Sequence, residues 1–424
     1  MRDLFSELQW RGLVYGSTEG TADTLATREV TLYAGFDATA SSLHIGHLLP
    51  VLGLARAQRF GHKPIALVGG GTGLIGDPSG KSSERALLSV DEVRANAEGV
   101  RSQLTRFLDF TPGPNGALLE NNADWLTTVT AMEFLRDVGK YFTINQMIAR
   151  ESVKRRMESE DGISYTEFSY SLLQSYDYLM LHDRFSCTLQ IGGSDQWGNI
   201  VAGCDLIRRR RGALTHGLVM PLIMTAAGTK FGKTEAGAVW LDAGRTSPFR
   251  FYQFWLNVDD RDVISYLKYF TFRTEEQIAE LERASSDHPE RREAQRELAR
   301  DVTAMVHGAS DVARAERAAS VLFGGALSVA NAEDILMVFE DAPSISVPVS
   351  SLETGTGAAD LAVRAGLAAS KGEAGRLIKQ GGLYVNDRRV TDGGARLTMA
   401  DAIDGSVIVL RKGQRERRIV KIER

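Results

Sequence analysis

The sequence predicts an α/β protein: a parallel-sheet domain first, then an all-helical domain, then a small α+β tail. Three observations carry that reading. Val30–Phe36 (VTLYAGF), Leu48–Arg59 and Pro64–Val68 (PIALV) spell strand, helix and strand within about 40 residues, a βαβ unit that implies a parallel sheet. From Phe249 to about Leu322 the pattern is long, charged and of helical period, as in Gln277–Glu282 and Arg291–Val306. From Ala358 onward, short helical runs give way to strands.

A chain of 424 residues exceeds what one hydrophobic core supports, so two or three domains are expected. With 43% hydrophobic and 25% charged residues it falls among ordinary globular proteins, not disordered chains. No run of about 18 apolar residues suggests a membrane span. The start, Met1-Arg2-Asp3-Leu4-Phe5, is polar and unlike a secretory signal, so a cytoplasmic location is expected. Cys187 and Cys204 have no CxxC neighbour and read as thiols in a reducing compartment. Apart from His44 and His47 the histidines are scattered, so no protein-ligated metal is expected. Residues 351–424 hold 14 Lys+Arg and 9 Asp+Glu, a net of +5; the whole chain is −4, so the first 350 residues carry −9. A basic tail on an acidic body suits a nucleic-acid partner held by the tail, and equally a solvated basic surface.

The elements follow in order. Val30–Phe36 is rich in β-formers, Leu48–Arg59 is apolar at helical spacing, and Gly61-His62 turns the chain into Pro64–Val68. Gly71-Thr72-Gly73-Leu74-Ile75-Gly76 is a literal GxGxxG after a strand. The Pro and Gly of Asp77-Pro78-Ser79-Gly80 forbid the helix that a dinucleotide fingerprint opens there. Nor does an acidic residue end a second strand about 20 residues on. The segment reads as a loop exposing backbone. Leu172–Leu181 reads as a helix and Cys187–Ile191 (CTLQI) as a strand entering Gly192-Gly193. Arg245–Pro248 marks the change to helical sequence. Phe323 to about Thr356, with two prolines and several Ser and Gly, reads as a linker with some local structure. The tail then gives helices at Ala358–Ala365 and Glu373–Lys379 and strands at Leu383–Val385 and Val407–Leu410.

Chemistry concentrates in three strings: His44-Ile45-Gly46-His47, Gly193-Ser194-Asp195-Gln196 and Lys230-Phe231-Gly232-Lys233-Thr234. His44 and His47 lie one turn apart at a helix start, where backbone N–H groups and the macrodipole favour anions. Two imidazole donors there suit charge developing on phosphate. Alone, such a pair is more often a surface feature. His44, Asp77 and Asp195 each follow a strand end, where ligands of open α/β sheets bind. Tyr170, Gln174 and Asp177 at i, i+4 and i+7 share one helical face, flanked by apolar Phe168, Leu172, Leu173 and Tyr176. On a buried helix such polar groups need partners, and a small zwitterion supplies them. Asp177 and Tyr33 suit a substrate hydroxyl. Lys230, Lys233 and Thr234 supply ammonium and hydroxyl groups able to close over a pyrophosphate.

These strings resemble the bacterial-type tyrosyl-tRNA synthetases, class I aminoacyl-tRNA synthetases, along essentially the whole chain. The matches are Tyr33-Ala34-Gly35-Phe36-Asp37-Ala38-Thr39, His44–His47 (the HIGH signature), Gly76-Asp77-Pro78-Ser79-Gly80-Lys81, Gln190–Asn199 (QIGGSDQWGN) and Lys230–Thr234 (a KMSKS variant). The tail strings Ser370–Ile378 and Gly382–Asn386 resemble an S4-like RNA-binding domain. The resemblance implies a Rossmann-like catalytic domain over 1–245, with a dimerisation insertion at about 121–160. A helical domain at 246–325, a linker at 326–350 and the S4-like domain at 351–424 follow. It implies a tyrosine–tRNA ligase that makes tyrosyl-adenylate and pyrophosphate from L-tyrosine and ATP, with Mg2+ on the phosphates. Tyrosine then passes to the terminal adenosine of tRNA(Tyr). It also implies a homodimer.

By motif match, Tyr33 and Asp177 bind the substrate phenol, Tyr170, Gln174 and Asp77 the α-amino group, and Gln196 lies near the carboxylate. Gly35, Asp37, His47, Gly192, Asp195 and Lys233 contact ATP. Thr39 and His44 stabilise the pyrophosphate end, with Lys81, Arg85, Lys230, Lys233 and Thr234 closing over it. Ala34 and Pro50 fall where relatives often carry other residues near the ATP sugar, and Gly372 and Gly375 weaken a tail helix. The basic clusters Arg150–Arg156 and Arg208–Arg211 are candidates for the tRNA acceptor stem, or solvated helix surface. A tryptophan-specific relative and a catalytically silent RNA-binding scaffold are the alternatives. Tyr33, the Tyr170/Gln174/Asp177 face and the tail favour tyrosine; His44, His47, Lys230 and Lys233 favour catalysis.

Overall fold

The computed structural model describes residues 3–79, 87–158, 162–226, 228, 231–234, 237–322, 331–340, 342–413 and 416–423. By contacts the chain divides into two compact units, one of residues 1–246 and 255–306, the other of 247–254 and 307–424.

The first unit is built on six strands: β1 (Gly16–Ser17), β2 (Thr31–Asp37), β3 (Lys63–Gly69), β4 (Leu118–Asn121), β5 (Cys187–Gly193) and β6 (His216–Met220). They lie in the order β1-β6-β5-β2-β3-β4. β2 to β6 are mutually parallel and β1 joins the edge antiparallel to β6. Parallel strands are covered by helices on both faces. Accordingly β3 is buried from Pro64 to Gly69 and β6 throughout. The crossover helix Leu48–Arg59 is buried at nine positions, as expected of a helix apolar on nearly every side. Pro50 is tolerated in its first turn, where no intrahelical N–H is required.

The helices Val263–Phe270 and Glu275–Asp287 belong to this unit, a grouping that composition does not show. Buried Arg56 donates to the carbonyls of Tyr269 (2.6 Å) and Thr271 (2.9 Å), and buried Arg11 to those of Lys268 (2.9 Å) and Arg273 (2.7 Å). Cations on the last carbonyls of Val263–Phe270 satisfy groups that a helix end leaves open.

In the second unit a five-stranded sheet runs Arg388–Arg389, Leu383–Val385, Val407–Lys412, Glu416–Glu423, Ser344–Pro348. Ile408 and Leu410 face a core with Leu361, Ile378 and Val420, under the helices Ala358–Arg364 and Lys371–Lys379. Val407 and Val409 face the other way, against Ile335 of the helix Ala332–Val338. The stretch read as a linker therefore carries, from 331 on, a helix covering the sheet's second face and a parallel edge strand. Proline at the end of Ser344–Pro348 suits an edge, where one N–H row needs no partner.

Candidate active site

From β2 the chain proceeds outward through β3 and β4, then returns to β5 on the other side of β2 and continues to β6. The strand order therefore reverses between β2 and β5, and ligands of such sheets bind at the carboxyl ends beside that point. A cavity of about 310 Å³ opens there. Tyr33, Gly35 and Asp37 of β2 line it, with Gln190 and Gly192 of β5, and Thr39, His44, His47, Asp77, Asp195 and Gln196 from the loops. The helix Tyr165–Phe185 contributes Tyr170, Gln174 and Asp177 from one face. The predicted face therefore converges with the strand-end residues.

At one end lies Asp177, 2% exposed. Each carboxylate oxygen accepts one buried donor: Asn122 Nδ2 at 2.9 Å and Trp125 Nε1 at 2.7 Å. Burial pushes its carboxyl up to about 8, against the pull of those two hydrogen bonds and with a small push from Asp37. Nearby, the Tyr33 hydroxyl is buried with no hydrogen-bond partner among the described residues. Burial first, and then the Asp177 charge, hold its proton on. An unpaired hydroxyl and a twice-donated carboxylate in a cavity wall suit a guest carrying its own hydroxyl.

A second polar group surrounds Asp37 and Asp77. Asp37 accepts from Tyr170 Oη at 2.9 Å and Thr72 Oγ1 at 2.7 Å. This carboxylate, assigned by motif to ATP, is thus joined to the residue assigned to the α-amino group. Burial and the Asp37 and Asp77 charges keep the Tyr170 phenol protonated. Asp77 accepts from Gln196 Nε2 at 2.6 Å and the Ser79 amide at 2.9 Å. Gln174 Nε2 donates to Gln196 Oε1 at 3.2 Å, and its own Oε1 accepts from Asn199 Nδ2 at 3.0 Å. Carboxylates and amide oxygens keep acceptor capacity beyond these single bonds, which is chemistry suited to an ammonium group.

At the other end Ile45–His47 forms a 3-10 turn that leads into the helix Leu48–Arg59. The Gly46 amide donates to His44 Nδ1 (3.1 Å) and the His44 amide to His47 Nδ1 (3.2 Å). Both Nδ1 atoms are thus acceptors, which puts the proton of each neutral ring on Nε2 as a donor. The rings stack at 3.9 Å. A Cβ at Gly46 would fall 2.8 Å from the His44 ring, so glycine is required for this turn. Lys233–Thr234 pairs antiparallel with Gly237–Ala238, and the returning strand is stitched to the histidine turn. Ile45 N donates to Val239 O (3.0 Å), Leu241 N to Leu43 O (2.9 Å) and Val239 N to Gly232 O (3.2 Å). Gly232 has φ +80, and a Cβ there would meet Ile45 Cγ1 at 2.8 Å. The first and third sequence strings are therefore neighbours. Lys81, Arg85 and Lys230 lie outside the described residues, and only the backbone is described for Lys233 and Thr234.

The GxGxxG string makes a three-residue 3-10 turn, Thr72–Leu74, with Gly76 at φ +84. No α-helix opens within residues 71–79, so the dinucleotide reading has no structural basis. Among the described residues, one arginine of the basic clusters is buried, while Arg208, Arg209 and Arg211 lie exposed on the helix surface. Arg156 forms a 2.7 Å ion pair with Glu167, both side chains 4% exposed, and so is no RNA-facing charge. Arg209 pairs with Asp205 and Arg211 with Asp183, Arg208 donates to Asp205, and Arg210 donates to the Asp137 carbonyl. Burial raises both cysteine thiols, Cys204 to about 11, which keeps them unreactive. Sequence reading gave no role to Asn122, Trp125, Thr72 or Asn199. The signal for Asn122 is that it directly follows the carboxyl end of β4.

Comparison with known proteins agrees with this geometry. The family model for tRNA synthetases class I (W and Y) matches residues 25–324, and that for the tyrosine–tRNA ligase SYY-like C-terminal domain matches 334–420. The chain is 57% identical over 423 residues to the tyrosine–tRNA ligase of Roseiflexus castenholzii, covering 100% of both chains. It is 49% identical over 427 residues to that of Geobacillus stearothermophilus, covering 99% of each. A crystal structure of a C-terminally truncated Aspergillus nidulans mitochondrial tyrosyl-tRNA synthetase superposes with a TM-score of 0.69 at 31% identity, covering 76% of this chain and 95% of that one. The chain belongs to the tyrosine–tRNA ligases, ATP-dependent class I aminoacyl-tRNA synthetases.

Proposed function

We propose that the cavity divides the two-step reaction among its residues as follows. Tyr33 and Asp177 take the phenol of L-tyrosine. Asp77, Gln174 and Tyr170 take the α-amino group, with Asp37 orienting Tyr170, and Gln196 lies beside the carboxylate. The backbone of Gly35 and Gly192, with Asp195 and His47, holds the nucleotide. Thr39 and His44 act at the pyrophosphate end, and the hairpin bearing Lys230, Lys233 and Thr234 closes there with Lys81 and Arg85. Mg2+ enters on the phosphates as part of the substrate.

The substrate carboxylate is already a nucleophile, so adenylation needs no general base. Attack on the α-phosphorus forms the tyrosyl-adenylate bond and breaks the bond to pyrophosphate. The protein's contribution is alignment and stabilisation of the charge on the leaving group. The observation that carries the tyrosine assignment is the unpaired Tyr33 hydroxyl in the same cavity as a carboxylate held by two buried donors. A phenylalanine leaves the Tyr33 hydroxyl unpaired and brings Asp177 no further donor, the logic by which tyrosyl-tRNA synthetases reject it.

Exposed Met132, Leu135, Ile144 and Ile148 support a homodimer through the 121–160 segment. Exposed Arg364, Arg376 and Lys379 support tRNA(Tyr) binding by the tail unit. We place the enzyme in the cytoplasm with its tRNA; no helix among the described residues is long and apolar enough to cross a membrane. The test is amino-acid-dependent ATP–pyrophosphate exchange without tRNA. Exchange with tyrosine and not phenylalanine or tryptophan is expected. Equal exchange with phenylalanine would remove the phenol assignment.

A further inference from the structure

We propose that Trp240 is a positioning residue for adenylation, holding the His44 imidazole at the phosphate end and tying it to the hairpin that carries Lys233. The proposal deepens the assignment of His44 given above and rests on it. Trp240 faces His44 across an antiparallel bridge. That bridge is flanked by the hydrogen bonds Ile45 N to Val239 O (3.0 Å) and Leu241 N to Leu43 O (2.9 Å). The indole meets the His44 ring edge-on at 6.0 Å and 65°. His47 stacks on that ring at 3.9 Å, and the Gly46 amide fixes its Nδ1. Trp240 is thus a second ring packed against the His44 imidazole.

Trp240 is itself held from behind. Its amide donates to Thr246 Oγ1 at 3.0 Å, and the Arg245 guanidinium lies 3.4 Å over the indole. The residue is only half-buried, and its ring partners are a histidine and an arginine. Core packing does not require such a placement; orienting an imidazole does. Trp240 also follows the hairpin's return strand, Gly237–Ala238, by two residues. Val239, between them, bonds Gly232 with its N–H and Ile45 with its carbonyl. The hairpin strand is therefore joined to His44 through Val239 and Trp240.

The test uses the full chain and the variants Trp240→Leu, Trp240→Phe, His44→Ala and Trp240→Leu/His44→Ala. Exchange kcat is measured beside the tyrosine Kd from equilibrium dialysis, which also reports an intact pocket. Trp240→Leu is expected to lower kcat by about tenfold, the upper range for one aromatic pair, with the tyrosine Kd within about twofold. Trp240→Phe should recover most of kcat, and adding Trp240→Leu to His44→Ala should cost little more. A Trp240→Leu effect that multiplies in full with an impaired His44→Ala overturns the positioning role alone, as does a Phe variant no better than Leu. Wild-type exchange by His44→Ala overturns the assignment of His44 itself, and the proposal with it.

Discussion

Replacing Asp177 by Asn tests the phenol site most directly, because the surrounding hydrogen bonds fix the outcome. Both carboxylate oxygens accept from donors, Asn122 Nδ2 and Trp125 Nε1. A carboxamide there must turn its NH2 toward one of them. Asn122 cannot compensate by flipping its own amide, since its Oδ1 accepts from the Gly71 amide at 2.7 Å and its Nδ2 also donates to Thr72 Oγ1 at 2.8 Å. One buried donor is left unpaired, which costs about 1–3 kcal/mol of folding stability. Measured above about pH 8, where the carboxyl is ionised, loss of a charged acceptor for the substrate hydroxyl removes about 1.5–3 kcal/mol of transition-state binding for tyrosine and none for phenylalanine. The ratio of kcat/KM for tyrosine over phenylalanine should therefore fall by about 10- to 150-fold. The assay is pyrophosphate exchange with each amino acid, alongside urea denaturation. An unchanged ratio in folded protein would refute the placement of the phenol at Asp177.

Three further outcomes follow from the same structure. Burial raises the Asp177 carboxyl from 3.8 to about 8, so the ligand-free fold holds this proton more tightly than the unfolded chain does. Its contribution to stability is therefore complete below about pH 4 and is lost as pH rises toward about 8. A phenol that donates to the carboxylate form must displace the proton. Tyrosine binding near pH 7 should release a proton, seen by calorimetry in two buffers of different ionisation enthalpy, and buffer-independent heats would contradict this. Lys233→Ala should cut the adenylation rate far more than tyrosine affinity, because its hairpin is stitched to the histidine turn and not to the phenol end; parallel losses in stopped-flow measurements would exclude a transition-state role. Arg156→Met leaves Glu167 buried and unpaired, and should cost about 3–5 kcal/mol in chemical denaturation; a loss under 1 kcal/mol would mean that the pair is solvated.

What the sequence reveals and hides here follows from how far each interaction reaches. β2, the helix Leu48–Arg59 and β3 are legible because burial on both faces writes apolar runs at the period of each element. The face of Tyr170, Gln174 and Asp177 is legible because 3.6-residue periodicity aligns it. Asn122 and Trp125 are not, since β4 is four half-buried residues and writes no pattern. The docking of Val263–Phe270 on the sheet unit depends on Arg56 reaching a carbonyl 215 residues away. The first basic cluster misleads at one residue because sequence gives a charge but not its partner: Arg156 looks like its neighbours and is buried against Glu167.

The same separation explains why the cavity is arranged as it is. Most of its polar groups are fully paired within the protein: Asp37 by Tyr170 and Thr72, Asp77 by Gln196 and the Ser79 amide, both imidazole Nδ1 atoms by backbone. Such pairing fixes orientation before any ligand arrives, so little reorganisation is needed as charge develops. Among the described residues the Tyr33 hydroxyl and Gln190 Oε1 are exceptions, both buried without a partner in the same cavity, and Tyr33 lies near the carboxyl whose proton burial holds on. Leaving a buried hydroxyl unmatched costs the ligand-free fold stability. A guest that carries a hydrogen-bonding group at that point, such as a phenol, recovers that cost, and a benzyl group of nearly the same shape does not. In the proposed assignment, discrimination between two side chains that differ by one oxygen rests on the unmatched Tyr33 hydroxyl, and rate on the pre-paired imidazoles of the histidine turn.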